Sequence, residues 1–189
     1  VKRIILASAS PRRQQLLKKL TDDFTAITPA VEEREYETPQ LTAQGNARLK
    51  GLYAARKYPG AIIIACDTVV ARGGKIYGKP KSEEEAVRML KELGGKWHEV
   101  YSGMFIKADK VYEYCALSKV LLKELDDFEI REYVRSFRPL DKAGAYGIQD
   151  KAVVADYEGD YHNIVGMPLS DLQRILRENG IDVKEEVLC

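Results

Sequence analysis

The chain has 189 residues, a formal net charge of +1 at pH 7 and an apolar share of 45%, enough to bury one core and consistent with a single domain over residues 1–189. The near-zero charge excludes nucleic-acid binding driven by overall electrostatics, so any anionic partner must be met by a local group of cations. No apolar run approaches membrane-spanning length, and the three cysteines lack CxxC spacing, which points to reduced thiols, no membrane partner and a cytoplasmic location. Lys2 to Ala7 reads as a short buried strand, turned by Ser8-Ala9-Ser10 into a helix with Ser10 as N-cap and Pro11 in the first helical position. Leu16, Leu17 and Leu20 supply its apolar stripe. A strand is expected near Phe24 to Ile27, followed by an irregular acidic stretch from Val31 to Glu37.

Leu41, Gly45, Leu49 and Leu52 recur at helical spacing and predict a second helix that stops before Pro59-Gly60. Ala61 to Val70, AIIIACDTVV, is an apolar run of strand type with a hairpin turn after it at Gly73-Gly74. Ser82 with Glu85 reads as a capping box opening a third helix, whose apolar face is Ala86, Met89, Leu90 and Leu93. Two strands, Val100 to Ile106 and Val111 to Leu122, precede a fourth helix carrying Ile130, Tyr133, Val134 and Phe137. Trp97 and His98, after Gly94-Gly95, are read as the beginning of a strand and receive no role. A short strand at Ala152 to Ala155 and a last helix through Leu169, Leu172, Ile175 and Leu176 complete the series. Helices and strands intermingle without strict alternation, so a mixed α/β sheet is expected.

Two stretches carry chemistry. In Ser8-Ala9-Ser10-Pro11-Arg12-Arg13 a strand runs into a helix N-terminus, where free N–H groups and the helix dipole favour anions, and two hydroxyls and two guanidinium forks add donors suited to phosphate. The GxxxxGK[ST] spacing of a P-loop is absent. The same residues would equally make a capped helix with solvated arginines. Asp67 sits inside an apolar strand run, so its carboxylate must reach a cleft or find hydrogen-bond partners at the strand end. Cys66 beside it reads as structural, because apolar surroundings and an adjacent negative charge disfavour a thiolate. Only His98 and His162 are available as imidazole ligands, which argues against zinc; oxygen ligands, wherever they hold a metal, favour Mg²⁺ or Mn²⁺.

SASPRRQQLL from Ser8 to Leu17, Glu32-Glu33, Ala65-Cys66-Asp67-Thr68, Gly78-Lys79-Pro80, Pro139 to Gln149 as PLDKAGAYGIQ, and Asn163 to Leu169 as NIVGMPL follow one another along nearly the whole chain. In that order they resemble the Maf family of nucleotide pyrophosphatases. The resemblance implies an elongated, twisted mixed sheet with flanking helices and two lobes around a deep cleft, similar to the inosine-triphosphate pyrophosphatases. It implies hydrolysis of a small-molecule nucleoside triphosphate to the monophosphate and pyrophosphate, a divalent metal cation as cofactor, a homodimer, and a nucleotide house-cleaning role linked to septum formation and division arrest. Residue by residue, it assigns catalysis to Asp67 as base or orienter of water, to Glu33 and to Lys79, with Glu33 and Asp67 as metal ligands and Glu32 as a neighbour. Ser8, Ser10, Arg12, Arg13, Thr68 and Gln149 become substrate-binding residues. The combination of Arg12, Thr68 and Gln149 matches the subgroup acting on dTTP and UTP, and a glutamine amide offers the donor and acceptors that a uracil edge requires. An inosine-triphosphate-type pyrophosphatase and a nucleotide-binding regulator without catalysis are the alternatives. The family's second-helix lysine would fall at Tyr53, with Lys50 one helical turn earlier substituting for it in part.

Overall fold

The computed structural model describes residues 2–185, which leaves Val1 and Cys189 outside the described part. Its strands are β1 (Ile4–Ala7), β2 (Thr25–Ile27), β3 (Ile62–Arg72), β4 (Lys75–Tyr77), β5 (Trp97–Lys107), β6 (Val111–Leu122) and β7 (Val154–Glu158). Its helices are α1 (Pro11–Lys18), α2 (Pro39–Lys57), α3 (Glu83–Leu93), α4 (Asp127–Phe137), α5 (Tyr161–Val165) and α6 (Leu169–Glu178). The strands form one sheet in the order β2-β1-β3-β5-β6-β7, with β4 also against β3. β1 runs parallel to β2 and β3, and the other pairings are antiparallel, so the expected mixed sheet is present.

The register of β3 creates the feature that matters most. β1 pairs with it only as far as Ala7↔Ala65, and β4 joins it only from Val70↔Tyr77. β5 occupies the other edge of β3 continuously from Ile63 to Ala71. β1 and β4 therefore share one edge, and Cys66, Asp67, Thr68 and Val69 run past an opening between them. Side chains alternate across a strand, so Asp67 faces the α2 side of the sheet and Thr68 the α1 side. Both reach the opening.

Hydrophobic clusters lie on either side of this break. One joins β1, the first half of β3, α1 and α6 through Leu6, Leu17, Ile64, Met104 and Leu172, and a smaller one lies under α2 around Ile63, Ala65 and Phe105. The other joins Val70, Leu90, Val100, Val120, Val134 and Tyr146, covered by α3 and α4. These are the two lobes, with β3 and β5 crossing between them.

Ser10 caps α1 as expected, accepting from the Arg13 backbone N–H. The periodic leucines of α2 do not form its buried face: Leu41 is 45% and Leu52 36% exposed, while Thr42, Ala43, Asn46, Ala47, Lys50, Gly51 and Ala54 face inward. The reason is distance. The helix lies so close to the sheet that a Cβ on Gly51 would sit 2.0 Å from the Phe105 ring, and one on Gly103 would sit 2.3 Å from the Ala43 carbonyl. Small residues face the sheet and large ones are turned out. The α3 capping box is only half made, since Ser82 accepts from Glu85 N but the Glu85 carboxylate takes the Lys81 N–H. Phe137 is 53% exposed and stacks on Tyr133, extending the apolar face of α4 without entering the core. No helix among the described residues is long and apolar enough to cross a membrane.

Candidate active site

Along the opening in the sheet lies a cavity of about 660 Å³, in the range of small-molecule sites. Its lining includes Ser8, Ser10, Arg12, Arg13, Glu33, Asp67, Thr68, Lys79 and Gln149, so every position singled out from the sequence for binding or catalysis reaches one space. Glu32, exposed, is not among the lining residues.

The α1 wall is built around Arg13. Its Nε donates to the Gly166 carbonyl at 2.8 Å, Nη2 to Thr68 Oγ1 at 3.0 Å and Nη1 to Ser8 Oγ at 3.4 Å. A guanidinium carries five N–H groups; among the described residues three are used, and one remains on each terminal nitrogen. All three partners are neutral, so the positive charge is left for an incoming anion. Gly166 can present its carbonyl there because its φ of 137° lies in a region closed to most side chains. The same carbonyl accepts the Cys66 thiol at 3.0 Å. Burial, the largest influence, pushes that thiol up, which keeps Cys66 structural. Arg12 crosses the mouth of the cavity to the Asp141 carboxylate at 2.9 Å. That pair is partly solvated and weak, so a phosphate can compete for the arginine.

The α2 wall contains a charged group that sequence reasoning placed only in part. Lys50 Nζ lies 2.6 Å from Glu33 Oε1 and 2.7 Å from Asp67 Oδ1. Lys50 is 7% exposed, so it is a buried ammonium held between two carboxylates, not a surface lysine. Burial works to raise the Glu33 carboxyl, but the hydrogen bond and charge of Lys50, with Lys79 and Arg13 behind them, bring it below its usual value. Glu33 itself lies in an irregular loop, which α2 holds in place. Asn46 Oδ1 accepts the Arg34 N–H and its Nδ2 donates to the Arg34 carbonyl, both at 2.9 Å, while Thr42 Oγ1 accepts the Tyr36 N–H at 2.9 Å. Thr42, Asn46 and Lys50 recur at every fourth position, a polar stripe on one helical face. That spacing is present in the sequence, beside the leucines that mark the helix.

At the far end, Tyr146 lies under the cavity with its hydroxyl 2.7 Å from His98 Nε2. Burial pushes the His98 imidazole down to about 4, so it stays neutral near pH 7 and can exchange a neutral hydrogen bond with the tyrosine. Ala145, just before Tyr146, is held at φ 61°, a conformation that costs about 1 kcal/mol or more and persists only where surrounding packing fixes it. Gln149, exposed, stands at the rim beyond Gly147.

A family model described as "Maf-like protein" matches residues 3–179. The chain belongs to the Maf family. It is 47% identical over 184 residues to a dTTP/UTP pyrophosphatase of Carboxydothermus hydrogenoformans, covering 94% of this chain and 99% of that one. It is 45% identical over 183 residues to a dTTP/UTP pyrophosphatase of Thermotoga maritima, covering 94% and 90%. Among solved structures, the Staphylococcus aureus Ham1 protein aligns with a TM-score of 0.55 at 18% identity, covering 94% of this chain and 99% of that one. A HAM1 protein from Coxiella burnetii aligns with a TM-score of 0.51 at 16% identity, covering 94% and 100%. At such identities the likeness is one of fold.

Within this Maf chain, the inferred displacement of the second-helix lysine is corrected. Tyr53 lies outside the cavity, in a separate surface groove with Val31, Leu49, Leu52, Arg56 and Lys57. A cation at position 53 would not face the substrate space. Lys50 is no partial substitute one turn away; it is the cation that bridges Glu33 and Asp67.

Proposed function

We propose that this protein hydrolyses nucleoside triphosphates, dTTP and UTP foremost, to the monophosphate and pyrophosphate. The observation that carries the reading is the facing of two walls across one cavity: Arg13 with two unused N–H groups, and Asp67 tied through Lys50 to Glu33. The names of relatives more than 40% identical over most of the chain support the same activity and the same bases.

Arg13, Ser8, Ser10 and the N-terminus of α1 take the phosphate chain, and Arg12 and Lys79 add charge at its flanks. Asp67 orients a water toward the α-phosphorus and receives its proton. The bond formed joins the water oxygen to that phosphorus. The bond broken runs from the phosphorus to the oxygen bridging to the β-phosphate, and pyrophosphate leaves. Lys50 holds Asp67 in place and balances its charge, while Arg13 and Lys79 meet the negative charge that grows on the departing oxygens. Gln149 reads the uracil or thymine edge above Tyr146.

The donor set fits a hard divalent cation shared with substrate. Lys50 uses Glu33 Oε1 and Asp67 Oδ1, which leaves the second oxygen of each carboxylate for Mg²⁺ or Mn²⁺ alongside phosphate oxygens. No group of three or more His, Cys, Asp or Glu among the described residues could hold an ion by itself, so binding of metal and nucleotide is coupled. When bound, the cation would neutralise phosphate charge. The test is a panel of UTP, dTTP, CTP and ITP with Mg²⁺ and product identification. UTP should yield UMP and pyrophosphate; UDP and orthophosphate, or a preference for ITP, would overturn the assignment.

A further inference from the structure

Below Arg13 the hydrogen bonds continue away from the cavity into the sheet. Thr68 Oγ1 accepts from Arg13, and its own proton has two acceptors in reach, Ser102 Oγ at 2.9 Å and the Gly166 carbonyl at 3.2 Å. Ser102 stands opposite Thr68 on β5, is wholly buried and does not line the cavity. Its hydroxyl has the Asn163 carbonyl at 3.1 Å. Asn163 is wholly buried too, and its Nδ2 donates to Val100 O at 3.3 Å and Ser118 Oγ at 2.9 Å.

Each hydroxyl has one proton to give, and that decides the direction of the chain. Gly166 O already receives Arg13 Nε and the Cys66 thiol, at 2.8 and 3.0 Å. Ser102 gives its proton to Asn163, so it is free to accept the proton of Thr68. The Thr68 oxygen then turns a lone pair onto Arg13. The bonds linking Arg13 to Thr68 and Thr68 to Ser102 are donated inward, away from a ligand, while the two unused N–H groups of Arg13 stay on the cavity side. Thr68 thus has no proton for the carbonyls of a base. Its hydroxyl is a support for the guanidinium.

We propose that Ser102 is a positioning residue of the phosphate site: by accepting from Thr68 it fixes the fork of Arg13, and Thr68 acts on the phosphates through Arg13 rather than on the base edge. This rests on the reading of the cavity as a triphosphate site. It replaces the assignment of Thr68 to base choice with a role that any polyphosphate should feel, with or without a base.

Tripolyphosphate, which has no base, is the discriminating probe. Ser102→Ala and Thr68→Val should each raise its inhibition constant against UTP hydrolysis, and the UTP KM, by a common factor of roughly 3- to 10-fold, the loss of one neutral hydrogen bond. The UTP-to-CTP ratio of kcat/KM should not move. Thr68→Ser should restore wild-type values, and the double variant should be no worse than Thr68→Val alone, because the two hydroxyls act in series. If Ser102→Ala loses its melting transition, the nearly isosteric Ser102→Cys gives the same comparison. An unchanged tripolyphosphate constant in the Ser102 variant, or a Thr68→Val variant altered only in base preference, overturns this inference while the activity assignment stands. A wild-type protein that neither hydrolyses UTP nor responds to tripolyphosphate overturns both.

Discussion

On the α1 side of the opening, Arg13 is held by a carbonyl and two hydroxyls and keeps its charge; on the α2 side, Lys50 is spent between two carboxylates. The first wall is a cation with neutral supports, fit to hold an anion in the ground state. The second carries a net negative charge, since two carboxylates outweigh one ammonium, and is fit to handle water and a metal ion. Consecutive residues of β3, Asp67 and Thr68, belong to opposite walls because a strand sends neighbours to opposite faces. One break in the sheet lets both walls share a cavity. A single strand thus sends adjacent residues to two walls of opposite charge.

The largest expected effect comes from removing the cation of the acidic wall. Lys50→Met leaves Asp67 and Glu33 facing each other uncompensated; UTP turnover should fall by roughly 10³-fold and unfolding free energy in urea by about 3 kcal/mol. A stable, active variant would mean that the trio is a surface accident. Next comes the opposite wall. Arg13→Ala should raise the UTP KM by roughly 10- to 100-fold, the worth of charge-assisted hydrogen bonds, with a smaller change in kcat. A loss confined to kcat would erase the distinction between the walls.

The fold was legible where local chemistry decides it. Ser10-Pro11 marks a helix start and AIIIACDTVV a buried strand through signals contained in a few residues. The helix α2 was legible but its inner face was not, because that face is set by how closely the sheet approaches, a tertiary fact carried by Gly51 and by Gly103 of β5. For the same reason Lys50 was found by spacing from a motif but not recognised as buried, although Thr42 and Asn46 on its face were the signal. The short helix α5 gave no periodic pattern, and it ends in the loop that supplies the Gly166 carbonyl. The two-sided pairing of β3, which opens the cavity, depends on where β1 stops and β4 starts and has no counterpart in sequence order.

Smaller effects sharpen the comparison at its edges. Gln149→Leu should reduce the preference for UTP over CTP by roughly tenfold in kcat/KM, because an amide partner to the base edge is lost; an unchanged ratio would move base reading elsewhere. The smallest effect is on stability. Glu33 has its carboxyl below the ordinary 4.5 in the folded protein, so its contribution is complete above that value and is lost as pH falls through the lower, folded one. The stability gap between wild type and Glu33→Gln should therefore close below pH 4.5. With more than half of that side chain exposed, the gap stays under about 1 kcal/mol. A gap that widens in acid would contradict the stated direction.

The division of labour between the walls is tested most directly by calorimetric titration of Asp67→Asn with a UTP analogue carrying an imido group between its α- and β-phosphates, at saturating Mg²⁺, beside its UTP turnover. Loss of one metal-binding oxygen should weaken the analogue by no more than about tenfold at saturating Mg²⁺, while turnover falls by roughly 10³-fold. Binding that weakens in step with turnover, or turnover that survives, would contradict it.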